Sequence, residues 1–159
     1  MEKKRVYVES SVISYLNPRL SKDEQKRTWQ KQTALWWERR HEWDCVVSAT
    51  VLLEIARGNL IAAAQRWEKA ISLVEVPALP EMDLLEDLLV ARKLVPEAAR
   101  PDAVHLATAA VHGAHYLLTW NLKHLANPAL RSRIEDLIRE HGWEPAKVIT
   151  PAELLKEPK

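Results

Sequence analysis

The stretch from residue 100 to residue 128 constrains the fold of this chain more than any other, because it joins an apolar helix to a short apolar strand. Pro101 suits the first turn of a helix, where its missing N–H would have had no partner, and Gly113 is a typical helix end. Residues 116–118 are too few and too apolar for a surface strand, so they predict a central strand. This strand places Asn121 at its carboxyl end, where open α/β sheets bind ligands.

Short apolar strands alternate with helical stretches along the rest of the chain. Further strands are predicted over residues 5–9, 45–47, 73–76 and 147–150, and further helices over residues 10–16, 21–43, 51–55, 60–72, 81–94, 129–141 and 151–155. The helix over residues 81–94 is amphipathic, with four leucines predicted to face inward: Leu84, Leu85, Leu88 and Leu89. Strands separated by helices indicate the α/β class, with a mainly parallel central sheet of about four to five strands flanked by helices.

Composition and charge set bounds on the partners and surroundings of the protein. At 159 residues the chain has the usual size of one domain. A net charge of +1 neither favours nor excludes a nucleic-acid partner, because a local basic patch is enough to bind one. The single cysteine, Cys45, is predicted as a small core residue in a reducing compartment. With no apolar signal segment and no apolar run of roughly 20 residues, a cytoplasmic protein without membrane contact is expected.

Four polar residues are predicted at or near the starts of helices and the ends of strands: Glu9, Glu54, Asp102 and Asn121. Glu9 ends an apolar strand, and Glu54 has apolar neighbours in sequence. Removing a carboxylate from water is costly without a compensating cation, and clustered carboxylates raise one another's pKa. A divalent metal is the usual reason for such a cluster, and oxygen ligands suit Mg²⁺ or Mn²⁺. For Asp102 alone, a first-turn acid that complements the helix dipole is an equal explanation.

Four segments, in order along essentially the whole chain, resemble the PIN-domain nucleases, and most closely the VapC-like toxins of bacterial and archaeal toxin–antitoxin pairs. They are VYVESSVISYL (6–16), LEIARGN (53–59), PDAVHLATAA (101–110) and YLLTWNLKHLAN (116–127). The resemblance implies a single PIN-like domain over residues 1–159 and a Mg²⁺- or Mn²⁺-dependent endoribonuclease that hydrolyses RNA. It also implies a cognate antitoxin protein as partner and, commonly, a homodimer.

The resemblance assigns roles by position to the four polar residues. Glu9 takes the place of the family's first-strand Asp, Glu54 that of its helix Glu and Asp102 that of its third acid. These three are the expected metal ligands and, together with Asn121, the expected catalytic residues. Glu9 is one methylene longer than the usual Asp. Asn121 stands where many members have a fourth Asp, so the site would hold its metal with one negative charge fewer.

Neighbouring residues are predicted to support the acids or to contact the substrate. Ser10 and Ser11 are predicted as N-caps of the first helix. Hydroxyl groups are also expected to hydrogen-bond Glu9 or a metal-bound water: Ser10, Ser11 and Thr119. Basic residues close to the acids are expected to contact RNA phosphates: Arg57, Lys123 and Arg100. Among the six histidines, which show no zinc-binding spacing, His105 is predicted as a core or supporting residue and His124 as a packed or capping residue.

Two other functions stay open from the sequence. A PIN-like domain with a degraded metal site would bind RNA or a protein without cleaving it, and the residues at positions 9 and 121 favour this alternative. A small phosphatase has little support, because the chain has only three glycines and no phosphate-binding glycine loop. The tryptophans of the second helix belong either to a partner or dimer surface or to a core face: Trp29, Trp36 and Trp37.

Overall fold

The computed structural model describes residues 2–125 and 127–158, apart from the side chain of His124, and shows five parallel strands in one sheet. The strands are β1 (Arg5–Val8), β2 (Asp44–Val47), β3 (Val74–Glu75), β4 (Tyr116–Leu118) and β5 (Lys147–Ile149). They lie in the order β3-β2-β1-β4-β5. The predicted α/β class with a mainly parallel central sheet is confirmed. The predicted role of the His124 side chain lies outside the described part of the chain.

β1 lies at the centre of the sheet, where the order of the strands reverses. Val6 is the register partner of Cys45 in β2 and of Tyr116 in β4. From β1 the chain first adds β2 and β3 on one side and then adds β4 and β5 on the other. The connections therefore diverge at the carboxyl ends of β1 and β4. In open parallel sheets this divergence makes a crevice, and ligands bind there.

The helices are α1 (Ser10–Ser14), α2 (Glu24–Glu38), α3 (Ala49–Ile55), α4 (Leu60–Ala70), α5 (Pro80–Ala91), α6 (Arg100–Val111), α7 (Leu122–Leu125), α8 (Pro128–Glu140) and α9 (Pro151–Leu154). α6 packs against α5 and β4. Three of its alanines have no exposed surface, which allows close packing: Ala103, Ala107 and Ala109. Leu117 and Leu118 of β4 are also completely buried, as a central strand requires.

Several predicted boundaries are wrong, and a helix cap explains one of the differences. The helix predicted over residues 21–43 is α2, which starts at Glu24 and ends at Glu38, followed by a 3-10 turn. The Asp23 side chain accepts a hydrogen bond of 2.8 Å from the backbone N–H of Lys26, and this cap sets the start of α2. The strand predicted over residues 73–76 is only two residues long, because it pairs with β2 alone at the edge of the sheet.

The amphipathic helix α5 faces the core with fewer leucines than predicted. Leu85 and Leu89 are buried, but Leu84 is 57% exposed, so its predicted inward position is wrong. The helix also ends earlier than predicted, at Ala91. Lys93 follows with a φ of 58°, a left-handed conformation that commonly ends helices.

The tryptophans of α2 belong mainly to the interior. Trp36 is completely buried, and Trp29 stacks on Trp120 with ring centroids 4.6 Å apart and planes 13° from parallel. Trp37 is half-buried beneath the guanidinium group of Arg40, 4.0 Å from its ring centroid. The core-face alternative therefore holds for Trp29 and Trp36.

Two expectations drawn from composition concern Cys45 and membranes. Cys45 is buried in β2, as predicted, and its burial raises the pKa of the thiol to about 12. Over the described residues, no helix has both the length and the apolar character needed to cross a bilayer.

Candidate functional site

Glu9 directly follows β1 and lies at the crevice between β1 and β4. Its backbone N–H donates to the carbonyl of Leu118 at 3.0 Å, which continues the pairing of the two strands by one residue. Its side chain caps α1, because a carboxylate oxygen accepts a 3.0 Å hydrogen bond from the N–H of Ser11. The prediction that the two serines cap this helix is therefore wrong, and both lie inside its first turn.

The Glu9 carboxylate is surrounded by neutral hydrogen-bond donors. The hydroxyl of Ser10 donates to Oε2 at 2.7 Å, and those of Ser11 and Thr119 donate to Oε1 at 2.5 and 2.6 Å. With the N–H of Ser11, four donors occupy the roughly four lone-pair positions of a carboxylate. Glu9 is only 5% exposed. Because none of these four donors carries a charge, a nearby cation would stabilise the buried negative charge of Glu9.

Glu54 lies in α3, which is capped by Ser48 directly after β2, and its carboxylate approaches Glu9. Its side chain is 23% exposed, and its Oε1 lies 2.8 Å from Nε2 of His105. Leu53 is 68% exposed, so the expected apolar surroundings are absent on that side of the helix. One oxygen of Glu9, one oxygen of Glu54 and one nitrogen of His105 all lie within 4.8 Å of one another. Glu9 and Glu54 thus form a close pair of carboxylates.

Asp102 and Asn121 connect to Glu9 through Thr119. Asp102 lies in the first turn of α6, and its Oδ1 accepts a long hydrogen bond of 3.4 Å from the Asn121 amide. The backbone N–H of Asn121 donates to the Thr119 hydroxyl at 2.9 Å, and that hydroxyl donates to Glu9. The structure therefore joins all four predicted residues at one edge of the sheet. The closest group holds His105 beside the two glutamates, and Asp102 lies one helical turn before His105.

The predicted basic residues have different surroundings. Arg57 and Lys123 are exposed and lie near the acids in sequence, and their contact with a phosphate stays a prediction. The guanidinium of Arg100 instead pairs with Glu97 at 2.8 Å and with Asp87 at 2.9 Å. These carboxylates raise the pKa of Arg100 and occupy its donors, so the structure does not support its predicted phosphate contact.

Tyr7 and Ser48 belong to the same network, although the sequence did not single them out for the site. The Tyr7 hydroxyl lies 2.7 Å from Nδ1 of His105 and 2.8 Å from the Ser48 hydroxyl. Burial raises the pKa of Tyr7, so the phenol keeps its proton. A sequence signal did exist, because a tyrosine inside a fully buried strand needs a hydrogen-bond partner.

A large cleft among the described residues lies elsewhere in the molecule. It has a volume of about 800 Å³ and lies at the amino-terminal ends of the strands, with Arg5, Trp43 and Asp44 in its wall. Arg5 and Asp44 pair with each other at 2.8 Å, so their charges are mutually compensated. Glu9 and Glu54 lie at the opposite, carboxyl ends of the strands.

Comparisons with known proteins add no assignment to this geometry. No family model matches the chain, and no curated protein matches it either. Membership of the PIN-domain family stays a prediction from the four sequence segments.

Proposed function

We propose that this chain is a metal-dependent endoribonuclease of the PIN-domain, VapC-like class and the toxin of a toxin–antitoxin pair. The pairing of Glu9 with Glu54 is the observation that carries the proposal. Their carboxylates approach within 4.8 Å at the crevice of a parallel sheet, and the donors around Glu9 are neutral. Two like charges this close destabilise each other unless a cation lies between them.

The residues of the site fit Mg²⁺ or Mn²⁺. The ion would be held by carboxylate oxygens of Glu9, Glu54 and Asp102. The side-chain amide oxygen of Asn121 would add a neutral oxygen ligand to this set. Mn²⁺ accepts the same oxygen ligands. Glu54 is the more accessible ligand, because His105 is its only described hydrogen-bond partner. Glu9 would become a direct ligand if the hydroxyl group of Ser10 or Ser11 turned away.

The reaction follows from the character of this site. A bound divalent ion lowers the pKa of a water molecule and neutralises negative charge on the attacked phosphate. Glu54 is partly exposed, so a substrate could reach the pair from its side. Arg57 and Lys123 would bind flanking phosphates and fix the register of the RNA strand. No covalent intermediate is required, because water is the nucleophile.

Asp102→Asn tests the proposal, because it removes a charge with little change in size. We expect the variant to lose Mg²⁺-dependent cleavage of RNA by at least about a hundredfold, because ligand charge is lost where phosphate charge must be neutralised. Asp83→Asn is the matched control, because Asp83 is also a first-turn acid of a long helix and is exposed. Cleavage by Asp102→Asn at the rate of the wild type would overturn the assignment.

A non-catalytic PIN-like domain that binds RNA or a protein is the second candidate. The filled hydrogen-bonding positions of Glu9 favour it, because a carboxylate with four donors needs no metal to satisfy its lone pairs. This candidate predicts that RNA binds without being cleaved and that Mn²⁺ does not bind at Glu9 and Glu54. The like charge of Glu54 beside Glu9 favours the nuclease.

A protein partner is part of the proposal and is supported by exposed apolar side chains. Large apolar residues of α3 and α4 are exposed to solvent: Leu53, Leu60, Ile61 and Trp67. Leu53 directly precedes Glu54 in α3, so a protein that covers it would also approach the site. Exposed apolar surface of this kind marks protein contacts, and we propose a cognate antitoxin and a second copy of the chain as the partners.

A further inference from the structure

We infer that His105 is a positioning residue, which holds the Glu54 carboxylate in place beside Glu9 by joining it to a buried network. The inference deepens the proposed function, on which it rests. His105 is 1% exposed and contacts Glu54 with one ring nitrogen and Tyr7 with the other. The imidazole is therefore fixed at both ends.

The direction of each hydrogen bond in this network follows from chemistry. An ionised carboxylate only accepts, so Nε2–H of His105 donates to Glu54 Oε1 over 2.8 Å. In a neutral ring Nδ1 then accepts, and the Tyr7 hydroxyl donates to it over 2.7 Å. The Ser48 hydroxyl donates to the Tyr7 oxygen over 2.8 Å and accepts from the N–H of Val51. One set of donor and acceptor roles therefore satisfies every member of the network. The donations run from Ser48, at the start of α3, through Tyr7 and His105 to Glu54 in the same helix.

Because of this network, the positions of both carboxylates depend on the same strand, β1. Tyr7 and Glu9 are two residues apart at the end of β1, so they lie on the same side of the extended chain. Glu9 is fixed by following the strand directly, and Glu54 is fixed through His105 and Tyr7. A glutamate on a helix surface has several rotamers, and repulsion from Glu9 favours those that point away. The hydrogen bond from His105 opposes that movement.

Variants of His105 separate positioning from simple packing. His105→Leu fills the space but removes the N–H donor, and His105→Gln keeps an N–H donor on a side chain of similar reach. We expect His105→Leu to weaken Mn²⁺ binding by about tenfold or more, as for other residues that support metal ligands, and His105→Gln to restore much of it. Tyr7→Phe removes only the hydroxyl that orients the ring and should weaken Mn²⁺ binding less.

Tyr116→Phe is the matched control for the tyrosine variant. Tyr116 is buried in the neighbouring strand β4, 6% exposed, and lies outside the network, so its Mn²⁺ affinity should equal that of the wild type. Equal affinity in all three network variants would overturn the inference. If His105→Leu loses Mn²⁺ affinity and His105→Gln recovers none of it, the inference is also overturned. The loss would then come from the changed shape of the side chain and not from the missing N–H donor.

A second measurement tests the network without metal or RNA. Nitrogen NMR of the metal-free wild type should show a proton on Nε2 of His105, the nitrogen that lies 2.8 Å from Glu54. Absence of a proton from Nε2 would overturn the inference, because the ring could then not donate to the carboxylate. Together the two measurements distinguish the two proposals. If Nε2 carries a proton and the variants weaken Mn²⁺ binding, but the wild type does not cleave RNA, the positioning inference is supported and the nuclease proposal is overturned. If His105→Leu cleaves RNA and binds Mn²⁺ as the wild type does, only the positioning inference is overturned.

Discussion

Glu9 and Glu54 are the same residue type in opposite settings. Glu9 is buried and accepts four hydrogen bonds, so its orientation is fixed before any ligand arrives. Glu54 accepts one described hydrogen bond and is partly exposed, so it is the more accessible of the two. The difference comes from their positions, because Glu9 starts a helix whose first residues are serines and Glu54 lies in the last turn of one. Under the proposed function, the fixed acid would orient the site and the more accessible one would be the first to meet a metal ion.

The buried thiol of Cys45 gives a prediction about how the stability of the protein depends on pH. Its thiol has a pKa of about 12 in the folded chain, against an ordinary value of 9.0 that the unfolded chain keeps. Below the lower value both states carry the proton. Between the two values only the unfolded chain loses it, so the free energy of unfolding should fall as pH rises, by roughly 1.4 kcal/mol per pH unit.

Cys45→Ala isolates this contribution from the other groups that titrate in alkali. Urea unfolding of both proteins between about pH 9 and pH 11 should show a shallower fall of the free energy of unfolding in the variant. The absolute stabilities differ because a buried side chain becomes smaller, so the slopes are compared. Parallel slopes for the two proteins would show that burial does not raise the pKa of this thiol.

At the scale of elements, α2 reinforces the chain segment that carries Thr119 and Asn121. Trp120 lies between these two residues, and its ring stacks on Trp29 of α2. Its indole N–H donates to the Thr33 hydroxyl at 2.9 Å, and its backbone N–H donates to the Ser11 hydroxyl at 2.9 Å. One residue therefore joins α2, α1 and the carboxyl end of β4.

Trp29→Ala tests the contribution of this stack to stability. We expect the free energy of unfolding to fall by roughly 3 kcal/mol, the low end for tryptophan truncation, because Trp29 is half-buried. Trp67→Ala on α4 is the control, since Trp67 is 42% exposed and should lose far less. Equal losses in the two variants, measured by urea unfolding, would mean that the stack does not fasten α2.

The elements themselves were largely predictable from sequence, and their ends were not. Apolar residues at strand and helix spacing predicted all five strands and the parallel sheet. The start of α2 depends on which of several polar residues caps it, and Asp23 does so where Ser21 was available. The exposure of Leu84 depends on how α5 turns against α6, which the pattern within α5 does not specify.

At the scale of the whole molecule, the strand order makes one site from residues far apart in sequence. The central position of β1 brings Glu9 beside Thr119, and this neighbourhood could be predicted from the ends of two parallel strands. The contact between Glu54 and His105 could not, because it depends on where α3 and α6 place these two side chains in space. The network through Tyr7 depends on the same placement.

Calorimetric titration of the metal-free chain with Mn²⁺ tests the central claim most directly, because it asks whether the carboxylate pair holds a divalent ion. The wild type should bind Mn²⁺, and Glu54→Gln should lose binding by about tenfold or more while its remaining oxygen still accepts the hydrogen bond from His105. Glu135→Gln, a half-buried glutamate of α8 far along the chain, is the control and should bind as the wild type does. Absence of Mn²⁺ binding by the wild type, or equal binding by Glu54→Gln, would contradict the account.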